Sequence, residues 1–376
     1  MDNSIKKPSL EVPEYISTLV PYPPGKPIEE LEREYGVRNP VKLASNENPI
    51  GPSPMAQRAV RQAASNLHRY PDGSGYYLKK KLSDMFSIAP EEIVLGNGSN
   101  ELIDFLIRVF VRPGDEVISS SPSFLVYTKM TQIAGGKNVV IPLAEFRHDL
   151  DGINKSVTER TRLIFLDNPN NPTGSVIDRS EFASFMAGLP EDVIVVLDEA
   201  YMEFVRTERT PDATDYFRHD RRIVALRTFS KAYGLAGLRI GYGIMDREVA
   251  GYLDRVRQPF NVNNLGQIAA LAALDDKAHL EATLQTTWTG MKELARSLKR
   301  LGCRIMPSET NFMLVDVGQD ASKIYEAMLH RGVIIRAMGS YGFPDHIRIT
   351  VGTKQENKRF IEVLEDVLNA HSQICV

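Results

Sequence analysis

Residues that could do chemistry stand at the ends of several short apolar runs. They are a glycine-rich turn at Gly96–Gly98, Asn171 in "NPNNPTG", Asp198 and Tyr201 in "LDEAY", and Ser230 and Lys231 in "TFSKAYGLAGLRIGY", with Arg239 following eight residues after the lysine. Lys231 is the least expected of them, because an ammonium group is unusual among glycines and small apolar residues. The pattern predicts one site that collects a lysine, a carboxylate, a phenol, an amide and an arginine.

This set of groups fits an aromatic aldehyde that carries a pyridine nitrogen, a phenolic oxygen and a phosphate. A lysine forms an imine with the aldehyde, and a carboxylate keeps the ring nitrogen protonated so that the ring accepts electrons. Phenol and amide donors stabilise the phenolate oxygen. A helix N-terminus, with Ser230 and Arg239, holds the phosphate. Burial or neighbouring cations would lower the pKa of the lysine from about 10.4 and make it a nucleophile.

Each of these residues alone has a simpler interpretation. Asp198 could cap the next helix, and Lys231 could be a solvated side chain. Asn171 and Gly174 are ordinary turn residues, and Tyr201 could serve only in packing. "GNGSN" lacks the spacing of a nucleoside-triphosphate-binding loop. The shared site is favoured because all of these residues follow successive predicted strands in chain order.

The elements that must position these residues are buried strands alternating with helices. The runs "EEIVLG", "DEVISS", "RLIFLD", "DVIVVLD" and "RIVALRT" are apolar and each ends in polar residues. Such runs are typical of a mostly parallel sheet covered by helices, in which ligands bind at the carboxyl ends of the strands. The sequence therefore predicts an α/β fold, followed by a smaller α+β domain. In that domain, "HIRITV" alternates and predicts a half-buried strand, with Arg348 and Thr350 on the face away from the core.

We expect three parts in the chain. Residues 1–45 form a proline-rich arm that packs with the small domain and contains one short helix, opened near Pro27 and closed by Gly36. Residues 46–265 form the large domain, and residues 266–376 form the small domain.

The composition excludes several classes of protein. The chain has 376 residues and a formal net charge of −3, which argues against a nucleic-acid binder. Its two cysteines, Cys303 and Cys375, have no CxxC spacing, so we expect no disulfide framework and no metal site. The N-terminus has no apolar core of signal-peptide length, and no later run reaches the length of a membrane span, so we expect a cytoplasmic protein without a membrane partner. A nicotinamide dehydrogenase is disfavoured because no GxGxxG follows the early strands.

Five motifs together resemble those of the fold-type I pyridoxal-phosphate aminotransferases. They are "SNENP", "RYPD", "NPNNPTG", "LDEAY" and "TFSKAYGLAGLRIGY". More narrowly, the chain resembles the histidinol-phosphate aminotransferase family, from "PYPPGKP" near its start to "IRITVGT" near its end. The resemblance implies a large domain with a mostly parallel seven-stranded sheet flanked by helices, pyridoxal 5'-phosphate as cofactor, and a homodimer.

The resemblance also implies a role for each residue of the site. Lys231 would form the imine and act as general acid and base, Asp198 would pair with the ring nitrogen, and Tyr201 would hydrogen-bond the ring oxygen. These three are the predicted catalytic residues. The other cofactor-binding residues would be Asn171 at the ring oxygen, Phe124 stacked on the ring, Ser99, Asn100, Ser230 and Arg239 at the phosphate, and Tyr70 reaching the phosphate in the neighbouring subunit.

Substrate binding is assigned to Tyr22, Asn171, Arg336 and Arg348. The resemblance implies that Arg348 holds the substrate carboxylate with two hydrogen bonds, which a lysine could not do as well. Arg336 and Tyr22 would help to receive a substrate phosphate in the same region. Arg336 alone could equally be a surface charge at a strand end.

The resemblance predicts transfer of an amino group between L-histidinol phosphate and 2-oxoglutarate, yielding imidazole acetol phosphate and L-glutamate in histidine biosynthesis. The reaction would be ping-pong, through pyridoxamine phosphate. An aromatic amino acid aminotransferase or a threonine-phosphate decarboxylase of the same fold would share these motifs. A cofactor-binding module fused to a DNA-binding domain is disfavoured, because about 45 residues precede the first fold motif and a domain needs roughly 50.

Overall fold

The computed structural model describes residues 11–21 and 25–374, with side chains described as far as Ala370. The helices of these ranges are α1 (Glu14–Ser17), α2 (Ile28–Tyr35), α3 (Pro54–Ala63), α4 (Tyr76–Phe86), α5 (Ser99–Phe110), α6 (Val126–Ile133), α7 (Leu150–Ser156), α8 (Arg179–Ala187), α9 (Ala213–Tyr216), α10 (Arg247–Val256), α11 (Asn264–Asp275), α12 (Lys277–Arg300), α13 (Ala321–Leu329) and α14 (Lys354–Ile374). The strands are β1 (Val41–Lys42), β2 (Ile93–Gly96), β3 (Glu116–Ser121), β4 (Lys137–Pro142), β5 (Thr161–Asp167), β6 (Ile194–Asp198), β7 (Ile223–Thr228), β8 (Gly241–Ile244), β9 (Arg304–Ile305), β10 (Phe312–Asp316), β11 (Val333–Ile334), β12 (Arg336–Ala337) and β13 (His346–Thr350).

A seven-stranded sheet with the order β2-β8-β7-β6-β5-β3-β4 forms the centre of the molecule. Strands β4, β3, β5, β6 and β7 run parallel, whereas β8 is antiparallel to both of its neighbours. The predicted α/β fold with a mostly parallel sheet is confirmed. The five apolar runs of the sequence are β2, β3, β5, β6 and β7.

Helices cover both faces of this sheet, which explains why its central strands carry apolar residues on both faces. Alternate residues of β5 point to opposite faces: Ile164 joins one hydrophobic cluster and Phe165 the other. The cluster around Ile164 also contains Ala269 and Leu274 of α11. Helix α11 therefore packs with the large sheet, although the sequence-based boundary at residue 265 would divide it.

A second, antiparallel sheet with the order β12-β13-β10-β9 lies in the last third of the chain. Its strand β13 is buried on both faces, with Arg348 7% and Thr350 3% exposed. The prediction of a half-buried strand is therefore wrong. The cover comes from the N-terminal arm, because Leu43 O accepts a hydrogen bond of 2.8 Å from Thr350 N and Ala44 O accepts one of 2.7 Å from Arg348.

The arm contacts elements of both the large and the small part of the chain. Helix α2 follows Pro27 and ends at Gly36, which has φ of 65°, as the sequence predicts. Strand β1 pairs in parallel with β11, which directly precedes β12 of the smaller sheet in the chain. Helix α1 lies against α6 instead, where Gln132 donates a 3.0 Å hydrogen bond to Tyr15 O. No helix in the described ranges combines the length and the apolar character that crossing a membrane requires.

Gly241 is a position at which the sheet leaves no room for a side chain. An added Cβ would lie 2.6 Å from Ser99 N and 2.9 Å from both Gly98 C and Arg227 O, which are all backbone atoms. We expect Gly241→Ala to lower the free energy of unfolding by about 1–3 kcal/mol, since overpacked backbone cannot yield as a side chain does. Chemical denaturation measures this change.

Gly251→Ala is the matched control. Gly251 lies within α10, and a Cβ there would meet nothing within 4 Å. This variant should be about 0.5–1 kcal/mol more stable, because alanine favours the helix. Equal stability of Gly241→Ala and the wild type would contradict the close approach of β8 to the start of α5.

Candidate active site

A cavity of about 270 Å³ opens at the carboxyl ends of the parallel strands, between the two sheets. Most of the residues expected from the sequence line it: Ser99, Asn100, Phe124, Asn171, Asp198, Tyr201, Ser230, Lys231, Arg239, Arg336 and Arg348. Tyr70 is not among them and is 83% exposed. Tyr22 lies outside the described residues. One polypeptide therefore brings eleven of the thirteen expected residues to a single cavity.

Asp198, the last residue of β6, presents an incompletely satisfied carboxylate. It is buried, and its Oδ2 accepts a 2.8 Å hydrogen bond from the Tyr127 hydroxyl. Its Oδ1 is also buried and has no hydrogen-bond partner. Burial raises the pKa of Asp198 to about 7, and the neighbouring carboxylate of Asp167 contributes to the rise. An N–H donor entering the cavity would satisfy Oδ1 and stabilise the ionised carboxylate.

Lys231 lies in the turn after β7 and faces the same cavity. Its Nζ donates a 3.2 Å hydrogen bond to Ser45 O and lies 5.8 Å from the centre of the Tyr201 ring. Burial lowers the pKa of Lys231 to about 8, and the cationic side chains of Arg348 and Arg239 act in the same direction. The lowered pKa agrees with the sequence-based expectation, and the half-buried position of Lys231 in the cavity argues against an ordinary solvated side chain.

The start of α5 forms an anion-binding corner with Ser230 and Arg239. Gly98, with φ of 80°, directly precedes the helix, and an added Cβ would lie 2.5 Å from Nη2 of Arg239. The glycine thus lets the guanidinium approach the helix N-terminus. Arg239 Nη1 lies 3.5 Å from the Ser230 hydroxyl. Free backbone N–H groups beside an arginine are suited to a phosphate.

Two arginines on adjacent strands form the opposite wall. Arg336 of β12 and Arg348 of β13 are paired in register, and both line the cavity. Arg348 donates a 2.5 Å hydrogen bond to the side-chain oxygen of Asn171. The position of Arg336 argues against its interpretation as a mere surface charge. Two guanidinium groups side by side are suited to carboxylate or phosphate oxygens.

Three residues of the site were missed at the level of sequence. Tyr127, which binds Asp198, stands three residues after Phe124, and its ring stacks on Phe165 at 4.6 Å. Asp167 ends β5 as Asp198 ends β6, and its Oδ2 accepts a 2.8 Å hydrogen bond from the backbone N–H of Asn171. The strand-end rule that identified Asp198 could have identified Asp167. Asn46 lies in the quoted motif "SNENP" and donates a 2.9 Å hydrogen bond to the Tyr201 hydroxyl.

The fold and the cavity together define a class of enzyme. The family model described as aminotransferase class I and II matches residues 38–364. The chain belongs to this class of aminotransferases.

The relatives narrow the family further. The chain is 52% identical to the histidinol-phosphate aminotransferase of Desulfotalea psychrophila, over 96% of each chain. It is 49% identical to histidinol-phosphate aminotransferase 1 of Nitrosococcus oceani, over 94% of this chain and 95% of the relative. The crystal structure of histidinol-phosphate aminotransferase from Sinorhizobium meliloti in complex with pyridoxal-5'-phosphate superposes with a TM-score of 0.90 at 31% identity, covering 98% of this chain and all of that one. Within its class, the chain belongs to the histidinol-phosphate aminotransferase family.

The lowered pKa of Lys231 gives a direct prediction. After reductive ¹³C-methylation of cofactor-free protein, NMR titration should show a Lys231 signal that loses its proton around pH 8, while ordinary lysines titrate around pH 10.4. Lys231→Arg should remove that signal alone, which assigns it. A Lys231 signal that titrates with the ordinary lysines would contradict the described environment.

Proposed function

We propose that the protein transfers the amino group of L-histidinol phosphate to 2-oxoglutarate in histidine biosynthesis, with pyridoxal 5'-phosphate as cofactor. The proposal rests on the presence in one cavity of Lys231 and of Asp198, whose Oδ1 has no hydrogen-bond partner. The chain that carries them is 52% identical to a histidinol-phosphate aminotransferase. The products would be imidazole acetol phosphate and L-glutamate.

The residues of the cavity fit this cofactor. The open oxygen of Asp198 would accept a hydrogen bond from a protonated ring nitrogen. The corner at the start of α5 would hold the phosphate through Ser99, Asn100, Ser230 and Arg239, all of which line the cavity. Phe124, half-buried in the cavity wall, would lie against the flat ring.

Two further side chains would meet the ring oxygen. Burial raises the pKa of Tyr201 to about 12, so its hydroxyl keeps its proton and can donate it. Asn171 lies beside Arg348, whose guanidinium is hydrogen-bonded to the Asn171 side chain. We therefore assign Tyr201 to the ring oxygen and Asn171 to both the ring oxygen and the substrate.

When bound, pyridoxal phosphate supplies the aldehyde that takes up the amino group and a ring that draws electrons from the reacting carbon. Lys231 would hold the cofactor covalently through Nζ. Its pKa of about 8 lets Nζ accept and release protons near neutral pH, as a general acid and base must. Asp198 would keep the ring nitrogen protonated, since a buried carboxylate is stabilised by a cationic partner.

Arg348 and Arg336 would bind the anionic groups of the two substrates. Histidinol phosphate carries a phosphorylated CH2–O group on its amino-bearing carbon where glutamate carries its α-carboxylate, so one cationic wall can receive both. On the basis of the sequence, Tyr22 is also assigned to the binding of the substrate phosphate.

The alternatives named from the sequence have less support. An aromatic amino acid aminotransferase would not need two arginines to bind a substrate phosphate. A threonine-phosphate decarboxylase shares the fold, but the curated relatives of 49–52% identity carry the name histidinol-phosphate aminotransferase.

We further infer a cytoplasmic homodimer in which Tyr70 reaches the cofactor phosphate of the neighbouring subunit. Tyr70 is 83% exposed and stacks on Phe260, with 4.8 Å between the ring centres. Tyr76, Tyr77 and Leu67 are exposed in the same part of the chain. A cluster of exposed aromatic side chains is typical of an interface between protein subunits. The buried free thiol of Cys303 fits a reducing compartment.

A single-turnover experiment tests the substrate. Cofactor-loaded protein mixed with histidinol phosphate, without 2-oxoglutarate, should release about one imidazole acetol phosphate per site, because the reaction is ping-pong. Phenylalanine and threonine phosphate should react at least about 100-fold more slowly, because neither combines an imidazole side chain with a phosphorylated CH2–O group on the amino-bearing carbon. Product release is measured by rapid quench. A burst with phenylalanine and none with histidinol phosphate would contradict the proposed substrate.

Lys231→Ala tests the base in the same assay. Its rate should fall at least about 1,000-fold, the upper range for loss of a general acid–base group. Lys292→Ala, on the exposed side of α12, is the control and should react as the wild type does. Retained turnover in Lys231→Ala would refute the role of Lys231.

Hybrid dimers test whether Tyr70 acts across subunits. Tyr70→Phe should weaken cofactor binding about 10- to 100-fold, through loss of a hydrogen bond to a charged group, whereas exposed Tyr77→Phe should not. A hybrid of one Tyr70→Phe subunit and one Lys231→Ala subunit would contain one intact site if Tyr70 crosses the interface. At limiting cofactor it should regain about half of the wild-type rate per dimer. A hybrid no more active than Tyr70→Phe, or a monomeric protein, would contradict this arrangement.

A further inference from the structure

Three consecutive residues where the arm joins the large domain contact three side chains of the active site. Ala44 O accepts a hydrogen bond from Arg348 at 2.7 Å, and Ser45 O accepts one from Lys231 at 3.2 Å. Asn46 donates to the Tyr201 hydroxyl at 2.9 Å. We call residues 44–46 the strap. It contains the start of the motif "SNENP", to which the sequence analysis assigned no individual role.

Asn46 is held rigidly within the strap. It is 1% exposed and adopts φ of 56°, a left-handed conformation that asparagine tolerates better than most residues. Its backbone N–H donates to the Thr350 hydroxyl at 2.9 Å, and its backbone oxygen accepts from the Asn311 side chain at 3.0 Å. Both partners belong to the smaller sheet or the turn that leads into it.

The Thr350 hydroxyl favours one orientation of the Asn46 amide, because a reversed amide would present it with a second donor instead of an acceptor. The hydroxyl oxygen accepts the backbone N–H of Asn46, and its own proton goes to Asn46 Oδ1 at 3.1 Å. Because Oδ1 is the acceptor of this bond, Nδ2 must be the atom that faces Tyr201. An amide nitrogen can only donate, so the Tyr201 oxygen accepts and its own proton is left for another acceptor.

We propose that Asn46 is a positioning residue that makes Tyr201 donate its hydroxyl proton into the cavity, and that Thr350 fixes Asn46 in this orientation. This inference rests on the proposed function, in which the ring oxygen of the cofactor is the acceptor. With the amide reversed, Tyr201 would donate to Asn46 Oδ1, and the ring oxygen would lose a donor. Thr350 stands two residues after Arg348 on β13, so the strand that carries the substrate-binding arginine also sets the direction of the Tyr201 hydroxyl.

The test is the pH midpoint of the absorbance change of the Lys231-linked cofactor. A donated hydrogen bond stabilises negative charge on the ring oxygen, so its loss makes the shared proton between that oxygen and the linked nitrogen harder to remove. Thr350→Val removes the hydroxyl with little change in shape, and the midpoint should rise by about one pH unit. Thr350→Ser retains the hydroxyl and should keep the wild-type midpoint.

Tyr201→Phe separates this effect from a general loosening of the site. Alone, it should raise the midpoint at least as far as Thr350→Val does. The pH midpoint of the double variant Tyr201→Phe/Thr350→Val should be no higher than that of Tyr201→Phe, because both changes remove the same hydrogen bond. If Thr350→Val does not fold, Asn46→Asp replaces it: aspartate also tolerates the left-handed backbone, and its carboxylate can only accept from Tyr201.

The outcomes separate this inference from the proposed function. A wild-type midpoint in Thr350→Val or in its replacement, or a full additional rise in the double variant, overturns the role of Asn46 while leaving the proposed function intact. A rise in Thr350→Ser equal to that in Thr350→Val also overturns it. Wild-type protein that takes up no pyridoxal phosphate contradicts the proposed function and this inference with it.

Discussion

A buried carboxylate with one open oxygen is the feature on which the chemistry of this cavity depends. Strands β5 and β6 bring Asp167 and Asp198 side by side in register. Asp167 is satisfied by the hydroxyl of Ser123 at 2.7 Å and by the loop that carries Asn171. Asp198 accepts the Tyr127 hydroxyl at Oδ2, but its buried Oδ1 has no hydrogen-bond partner, and burying the charge is costly until a cationic partner meets it. The protein therefore offers one strong hydrogen-bond acceptor, and a protonated ring nitrogen meets that need.

A second buried interaction lies at the strand ends that carry this acceptor and the lysine. Glu199 follows Asp198 directly and is fully buried, and Arg227 near the end of β7 donates to it at 2.9 Å. This ion pair joins the ends of β6 and β7, from which Asp198 and the Lys231 turn extend. Burial raises the pKa of Glu199 to about 7, while the positive charge of Arg227 opposes the rise. The pair holds the acid and the base on neighbouring rigid strands, as a precise site requires.

The sequence predicts the sheet and most of the site because both rest on local patterns. An apolar run that ends in Asp198 or Lys231 can be recognised within ten or so residues, and parallel strands bring such ends together. Tyr127 and Asn46 were missed because their partners lie 71 and 155 residues away. Strand β13 was read as half-buried for the same reason: its cover is contributed by the arm, 304 residues earlier in the chain.

The most direct measurement of the central claim is the protonation state of the ring nitrogen. Protein loaded with ring-¹⁵N pyridoxal phosphate should give the NMR shift of a protonated pyridine nitrogen from about pH 6 to 9, because ionised Asp198 stabilises the cation. Asp198→Asn should convert it to the shift of a neutral nitrogen. A neutral nitrogen in the wild-type protein at pH 7 would contradict the role of Asp198 and the chemistry built on it.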